Sequence, residues 1–78
     1  MTLVDLKPGD SFVVEGVSLG RETGKRLADM GFTQGVEGQV VRMALFGDPI
    51  QVSILGYQVS IRKSEAAGVD VVKGTLRP

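Results

Sequence analysis

The chain predicts a mainly β fold: a small, strongly bent barrel of about five strands, with one inserted α-helix and a short helical turn before the last strand. Three observations carry that expectation. Residues 50 to 61 alternate apolar and polar side chains about Leu55 and Gly56, residues 18 to 30 change to a helical period, and glycine-bearing turns separate the remaining segments.

The hairpin is the most constrained of these. A two-residue turn at Leu55 and Gly56 sets Ile54 opposite Tyr57, Val52 opposite Val59 and Ile50 opposite Ile61, and leaves Gln51, Ser53, Gln58 and Ser60 on the other face. A slip of one residue would carry every apolar side chain to the polar face, so the pattern specifies register as well as strand. Leu55 is an awkward turn residue, because a type I′ turn wants φ above zero there, and this favours a looser loop.

The other elements follow in chain order. Lys7, Pro8, Gly9 and Asp10 suit a type II turn, with Leu3 and Leu6 packing beneath a first strand from Ser11 to Glu15. From Ser18 to Met30, Leu19, Thr23, Leu27 and Met30 share one helix face, while Glu22 and Arg26 form an i,i+4 pair on another. Gly20 and Gly24 weaken this helix. Gly31 ends it as a left-handed C′ residue that lets Phe32 fold back onto Leu27.

A turn at Thr33, Gln34 and Gly35 leads to a strand from Val36 to Leu45, bulged near Gly38. Phe46 and Gly47 begin the link to the hairpin, Asp48 caps its own turn, and Pro49 opens the next strand. Arg62 to Ala67 forms a helical turn stopped by Gly68. Val69 to Val72 is the last strand, and Lys73 to Pro78 forms a loose tail. No repeat or linker interrupts the 78 residues, so the whole chain, 1–78, reads as one domain.

Composition removes many functions. There is no cysteine and no histidine, so disulfides, thiolate metal sites and the commonest general base are missing. Nine basic and nine acidic residues cancel, against the charge footprint of a nucleic-acid or anionic-membrane binder. Met1 to Asp10 lacks the basic and apolar regions of a leader, and no apolar run approaches membrane-spanning length. A cytoplasmic protein without direct membrane insertion is the expectation.

Gly20 to Lys25 imitates a phosphate loop, but three residues separate its glycines where the motif needs four, and Arg26 stands where a hydroxyl is required. Asp29, Asp48 and Glu65 could converge on a metal, yet surface carboxylates are mostly solvated, and no metal or cofactor is expected. Phe12, Phe32, Phe46 and Tyr57 are too few for a base-stacking surface or a Pro-rich peptide groove, and Phe32 and Tyr57 are assigned to the core. Arg21, Lys25 and Arg26 form a basic helix stripe, and Arg62 with Lys63 a second basic pair, suited to an acidic protein surface. Phe46 is either an inward lid or an exposed anchor, with the inward placement favoured.

In order, the turn Lys7 to Asp10, the helix end Arg26 to Gly31, then Gly35, the stretch Gly47, Asp48, Pro49, Ile50, and the run Ile61 to Ala66 resemble the FeoA family over nearly the whole chain. The resemblance implies an SH3-like barrel with an inserted helix, found as a small cytoplasmic protein of bacterial ferrous iron uptake. It implies as partner FeoB, a membrane transporter with a cytoplasmic GTPase domain. A similar domain ends some metal-dependent repressors, so a free-standing regulatory domain that binds a protein or peptide is the alternative. A chain without histidine or cysteine is poorly equipped to hold ferrous iron, and this favours action on the transporter, not an enzyme. The contact residues under this reading are Arg21, Lys25, Arg26, Phe46 and Asp48, framed by structural Gly31, Phe32, Gly35, Pro49 and Gly56, with weak self-association left open.

Overall fold

In the computed structural model, residues 1–75 are described, and the terminal part of the predicted tail lies outside them. The elements are β1 (Ser11–Val17), α1 (Arg21–Asp29), β2 (Glu37–Met43), β3 (Ile50–Ile54), β4 (Tyr57–Ile61), α2 (Lys63–Ala66) and β5 (Val69–Lys73), with short 3-10 turns at Leu3–Asp5 and Leu45–Gly47. The five strands form one antiparallel sheet in the order β4-β3-β2-β1-β5. The mainly β fold of five strands is as expected; the ladder ends on β4 and β5 without pairing them, so the sheet does not close on itself.

The hairpin has the register its pattern demands, with Ile50 opposite Ile61, Val52 opposite Val59 and Ile54 opposite Tyr57. On the opposite face Gln51 donates to Gln58 at 3.0 Å. The looser turn foreseen at Leu55 does not occur: Leu55 has φ 50° and Gly56 φ 83°, a two-residue left-handed turn. Register decides here, because the apolar pairs across the strands outweigh the roughly 1 kcal/mol cost of one left-handed Leu.

α1 starts at Arg21 with Gly20 as its N-cap, so only Gly24 lies inside it and Leu19 falls outside the helix. Leu19 instead covers Gly68, where any side chain would collide with it. Arg26 pairs with Glu65 of α2 instead of with Glu22. The helix ends as its sequence requires. Gly31 has φ +112°, its N–H bonds Ala28 O at 3.0 Å, and the Phe32 N–H bonds Leu27 O at 3.0 Å. These are the two bonds of a Schellman motif, and they bury Leu27 and Phe32 side by side in the core.

Several strand limits differ from the sequence reading. β1 runs two residues further, to Val17, by means of a bulge between Val14 and Gly16 opposite β5. β2 is shorter than Val36 to Leu45, and its bulge lies between Val40 and Arg42, not at Gly38. Gly38 serves close packing instead: a methyl group there would stand 2.5 Å from Phe12 Cζ and 2.6 Å from Ile54 Cγ2. Pro49 precedes β3 without joining it, although its carbonyl accepts the Ala44 N–H at 3.0 Å. β5 includes Lys73, whose ammonium lies 3.7 Å from Asp10 Oδ1.

The core joins Phe12, Val14, Leu27, Phe32, Val40, Ile50, Val52, Ile54, Ile61, Ala66, Val69 and Val71 with Leu3 and Leu6, which are buried as expected, although the turn that carries Leu3 lies against α2 and β5 and not chiefly beneath β1. The N-terminus also shields β5, since Thr2 bridges Asp70 and Met1 O accepts the Val71 N–H at 2.9 Å. Tyr57 is not a core residue: it is 45% exposed, and its hydroxyl donates to Met30 O at the end of α1. A phenol keeps its oxygen near solvent when a backbone acceptor there satisfies it.

Gly31→Val tests the junction between helix and hairpin. A side chain at Gly31 would meet Leu55 Cδ1 at 2.7 Å and Ile54 Cδ1 at 3.2 Å, at a φ that β-branched residues avoid. The expected loss is about 2–4 kcal/mol, most of the margin of so small a fold, read as a large fall in thermal midpoint or failure to fold.

Candidate functional site

Three segments distant in sequence meet at the start of α2. The Lys63 N–H, an orphan donor of the first helical turn, is accepted by Asp48 Oδ1 at 3.0 Å, and Lys63 Nζ reaches Phe46 O at 3.4 Å. The Arg62 N–H is accepted by Glu65 Oε1 at 3.1 Å, and the other oxygen of Glu65 pairs with Arg26. Arg26 Nη1 also approaches the Met30 sulfur at 3.9 Å. Asp48 therefore caps the helix across the fold and does not merely cap its own turn, a contact that no local pattern could reveal.

These ties define a shallow, open depression lined by Arg26, Pro49, Ser60, Ile61, Arg62 and Glu65. Its chemistry is that of a binding surface: two guanidinium groups, one carboxylate already engaged, and a serine in a chain that has no histidine to activate it. Among the described residues no three acidic groups gather into a cation site, and Asp29, Asp48 and Glu65 do not converge as a set. Asp48 and Glu65 are each held in the hydrogen bonds just described.

The sequence candidates separate into two groups. Arg21 and Lys25 are exposed, four residues apart on α1, whereas Arg26 and Asp48 are engaged within the fold. Gly31, Gly35 and Gly56 occupy left-handed turns, with φ of +112°, +89° and +83°. Phe46 is not the inward lid that was favoured: it is 89% exposed, beside Leu45 at 80%. Its backbone explains this, since φ 59° and ψ 23° continue a tight turn whose carbonyl is pinned by Lys63, and this turns the residue away from the sheet. Sequence reading missed Leu45 and the cross-links of Lys63 and Glu65. The Leu45-Phe46-Gly47 string, apolar yet outside any alternating run, was the available signal for the first.

Fold and site together define a small five-stranded open-sheet domain whose described depression is lined by two arginines, a carboxylate and a serine. Comparison with known proteins carries this further. Residues 1–73 match the family model of the FeoA domain, and the chain belongs to that family, a component of ferrous iron transport. It is 37% identical over 71 residues to an Fe(2+) transport protein A/Fe(2+) transporter FeoB fusion protein of Porphyromonas gingivalis, a match that covers 91% of this chain and 8% of the fusion protein. Its fold superimposes on the solution structure of FeoA from Chlorobium tepidum with a TM-score of 0.84 at 38% identity, covering 91% of this chain and 68% of the other. The crystal structure of Stenotrophomonas maltophilia FeoA in complex with zinc gives a TM-score of 0.84 at 30% identity, covering 96% of each chain. That protein is described as a prokaryotic SH3 domain protein and a candidate activating factor of ferrous iron transport.

Asp48→Ala should cost about 1–2 kcal/mol by leaving the Lys63 N–H without its capping carboxylate, and Asp48→Asn should recover most of that loss. Equal thermal midpoints for wild type and Asp48→Ala would show that this tie contributes nothing to stability.

Proposed function

We propose that this chain is a single SH3-like FeoA domain that acts in the cytoplasm as an accessory protein of bacterial ferrous iron uptake, docking on a FeoB-type transporter or its GTPase domain and modulating it. The observation that carries the reading is the relative in which the corresponding segment is fused to FeoB in one polypeptide. Covalent fusion holds two modules at a high effective concentration, an advantage when the modules work in contact. The surface supports a protein partner over a metal ligand, since among the described residues the carboxylates do not gather in threes beside the exposed arginines, lysines and apolar side chains, and the chain offers no imidazole or thiolate.

Under this reading Arg21 and Lys25 are the docking cations. Both are exposed on α1, while the neighbouring Arg26 is drawn toward Glu65 and braces the helix. Phe46 remains a second contact, and Asp48 acts indirectly by fixing the loop that presents it.

Co-purification of the tagged chain from cells tests the reading: recovery of the membrane GTPase supports it, and recovery of a soluble transcription factor in its place overturns it. Calorimetry with anaerobic ferrous iron should show no stoichiometric binding, and tight one-to-one binding would return the function to the metal. The double variant Arg21→Glu, Lys25→Glu should melt within a few degrees of wild type, because exposed charges contribute little to folding. Its association with the transporter's cytoplasmic region should be at least about tenfold slower at low salt. An unchanged association rate would remove the stripe from the interface.

A further inference from the structure

The Leu45–Phe46 tip has exposed apolar groups, a braced backbone and basic neighbours, of which the docking reading draws on Phe46 alone. Both side chains are almost fully in water, at 80% and 89% exposure, and neither lines the depression beside α2. The tip is braced: Gly47 N–H bonds Ala44 O at 2.8 Å, Asp48 N–H bonds Leu45 O at 3.2 Å, and Lys63 Nζ approaches Phe46 O at 3.4 Å. Phe46 holds a left-handed φ of 59°, a conformation costly for an aromatic residue and cheap for Gly or Asn.

The unengaged charge nearby is basic. Arg42 stands three residues before the tip, and Arg62 with Lys63 begins the helix tied to it; all three are exposed. The acidic groups here are already engaged: the Asp48 carboxylate accepts the Lys63 N–H, and Glu65 accepts the Arg62 N–H and pairs with Arg26. The overall net charge of zero therefore hides a basic pair, Arg62 and Lys63, on the helix tied to the tip, with Arg42 on the strand that leads into it.

We propose that this tip is an interfacial anchor for an anionic lipid surface, with Leu45 and Phe46 entering the headgroup boundary while Arg42, Arg62 and Lys63 face the lipid phosphates. A protruding apolar pair suits a bilayer better than a protein pocket, because a bilayer accepts a convex tip without a matching cavity, and cations beside it gain from the negative surface potential. Nothing needs to span the membrane, and among the described residues no helix is long and apolar enough to do so. The contact goes beyond docking on the transporter and does not depend on it.

The chain contains no tryptophan, so Phe46→Trp places a single reporter at the tip. Vesicles of phosphatidylcholine with phosphatidylglycerol should shift its emission to the blue and carry the protein down on sedimentation, whereas phosphatidylcholine alone should do neither. Phe46→Asn, which suits the left-handed backbone and keeps the fold, should weaken vesicle binding about tenfold or more, the order expected for withdrawing one large apolar side chain. Arg42→Gln with Arg62→Gln should weaken binding to the anionic vesicles by a similar factor, as should high salt. Unmoved Trp emission with either vesicle, equal binding of Phe46→Asn and wild type, or equal binding to neutral and anionic vesicles would each overturn the proposal. A blue shift on adding the transporter's cytoplasmic region, with none on adding vesicles, would make the tip a protein anchor instead.

Discussion

At Gly31 the chain leaves α1 with φ +112°, and the tip of the β3–β4 hairpin closes over it until a methyl group there would lie 2.7 Å from Leu55. Helix and sheet meet at this point. The turn buries Phe32 against Leu27 on one side, and Met30 O receives the Tyr57 hydroxyl on the other. Leu55 is 62% exposed and left-handed, yet it is held because its side chain covers the glycine. Few contacts join α1 to the strands, so the orientation of the helix depends heavily on this junction and on the Arg26–Glu65 pair near its end.

The same logic of a small residue under a large one recurs at Gly38 beneath Phe12 and at Gly68 beneath Leu19. A sheet of five short strands has little area to bury, and close approach of side chain to backbone raises the density of what it does bury. With no disulfide or thiolate metal site available, the fold relies on packing of this kind. The polar ties at α2 have a different task. Asp48 and Lys63 tie the link between β2 and β3, which carries the exposed Leu45 and Phe46, to the start of α2.

Overall neutrality is a poor guide to what such a molecule touches. Among its cations, Arg21 and Lys25 stand in solvent on α1, while Arg62 and Lys63 lie at the start of α2, where Lys63 reaches the apolar tip. Arg26 lies between the two sets and is partly neutralised by Glu65. The two sets of cations lie on different elements of this fold, so the docking and lipid contacts proposed above would draw on separate charges.

The sequence by itself determined the hairpin, the Schellman end of α1 and the type II turn at Pro8–Gly9, because each depends on neighbours in the chain: side-chain alternation, a left-handed glycine, and a proline before a glycine. The resemblance also led correctly to the FeoA family. Tertiary structure alone decided the choice of Glu65 over Glu22 for Arg26, the capping of Lys63 by Asp48, the bulge at Val41 instead of Gly38, and the outward placement of Phe46. Each of these depends on which segment lies across the fold. Partners that distant in sequence leave no periodic trace, and a short loop can turn an aromatic ring either way until something such as Lys63 pins its backbone.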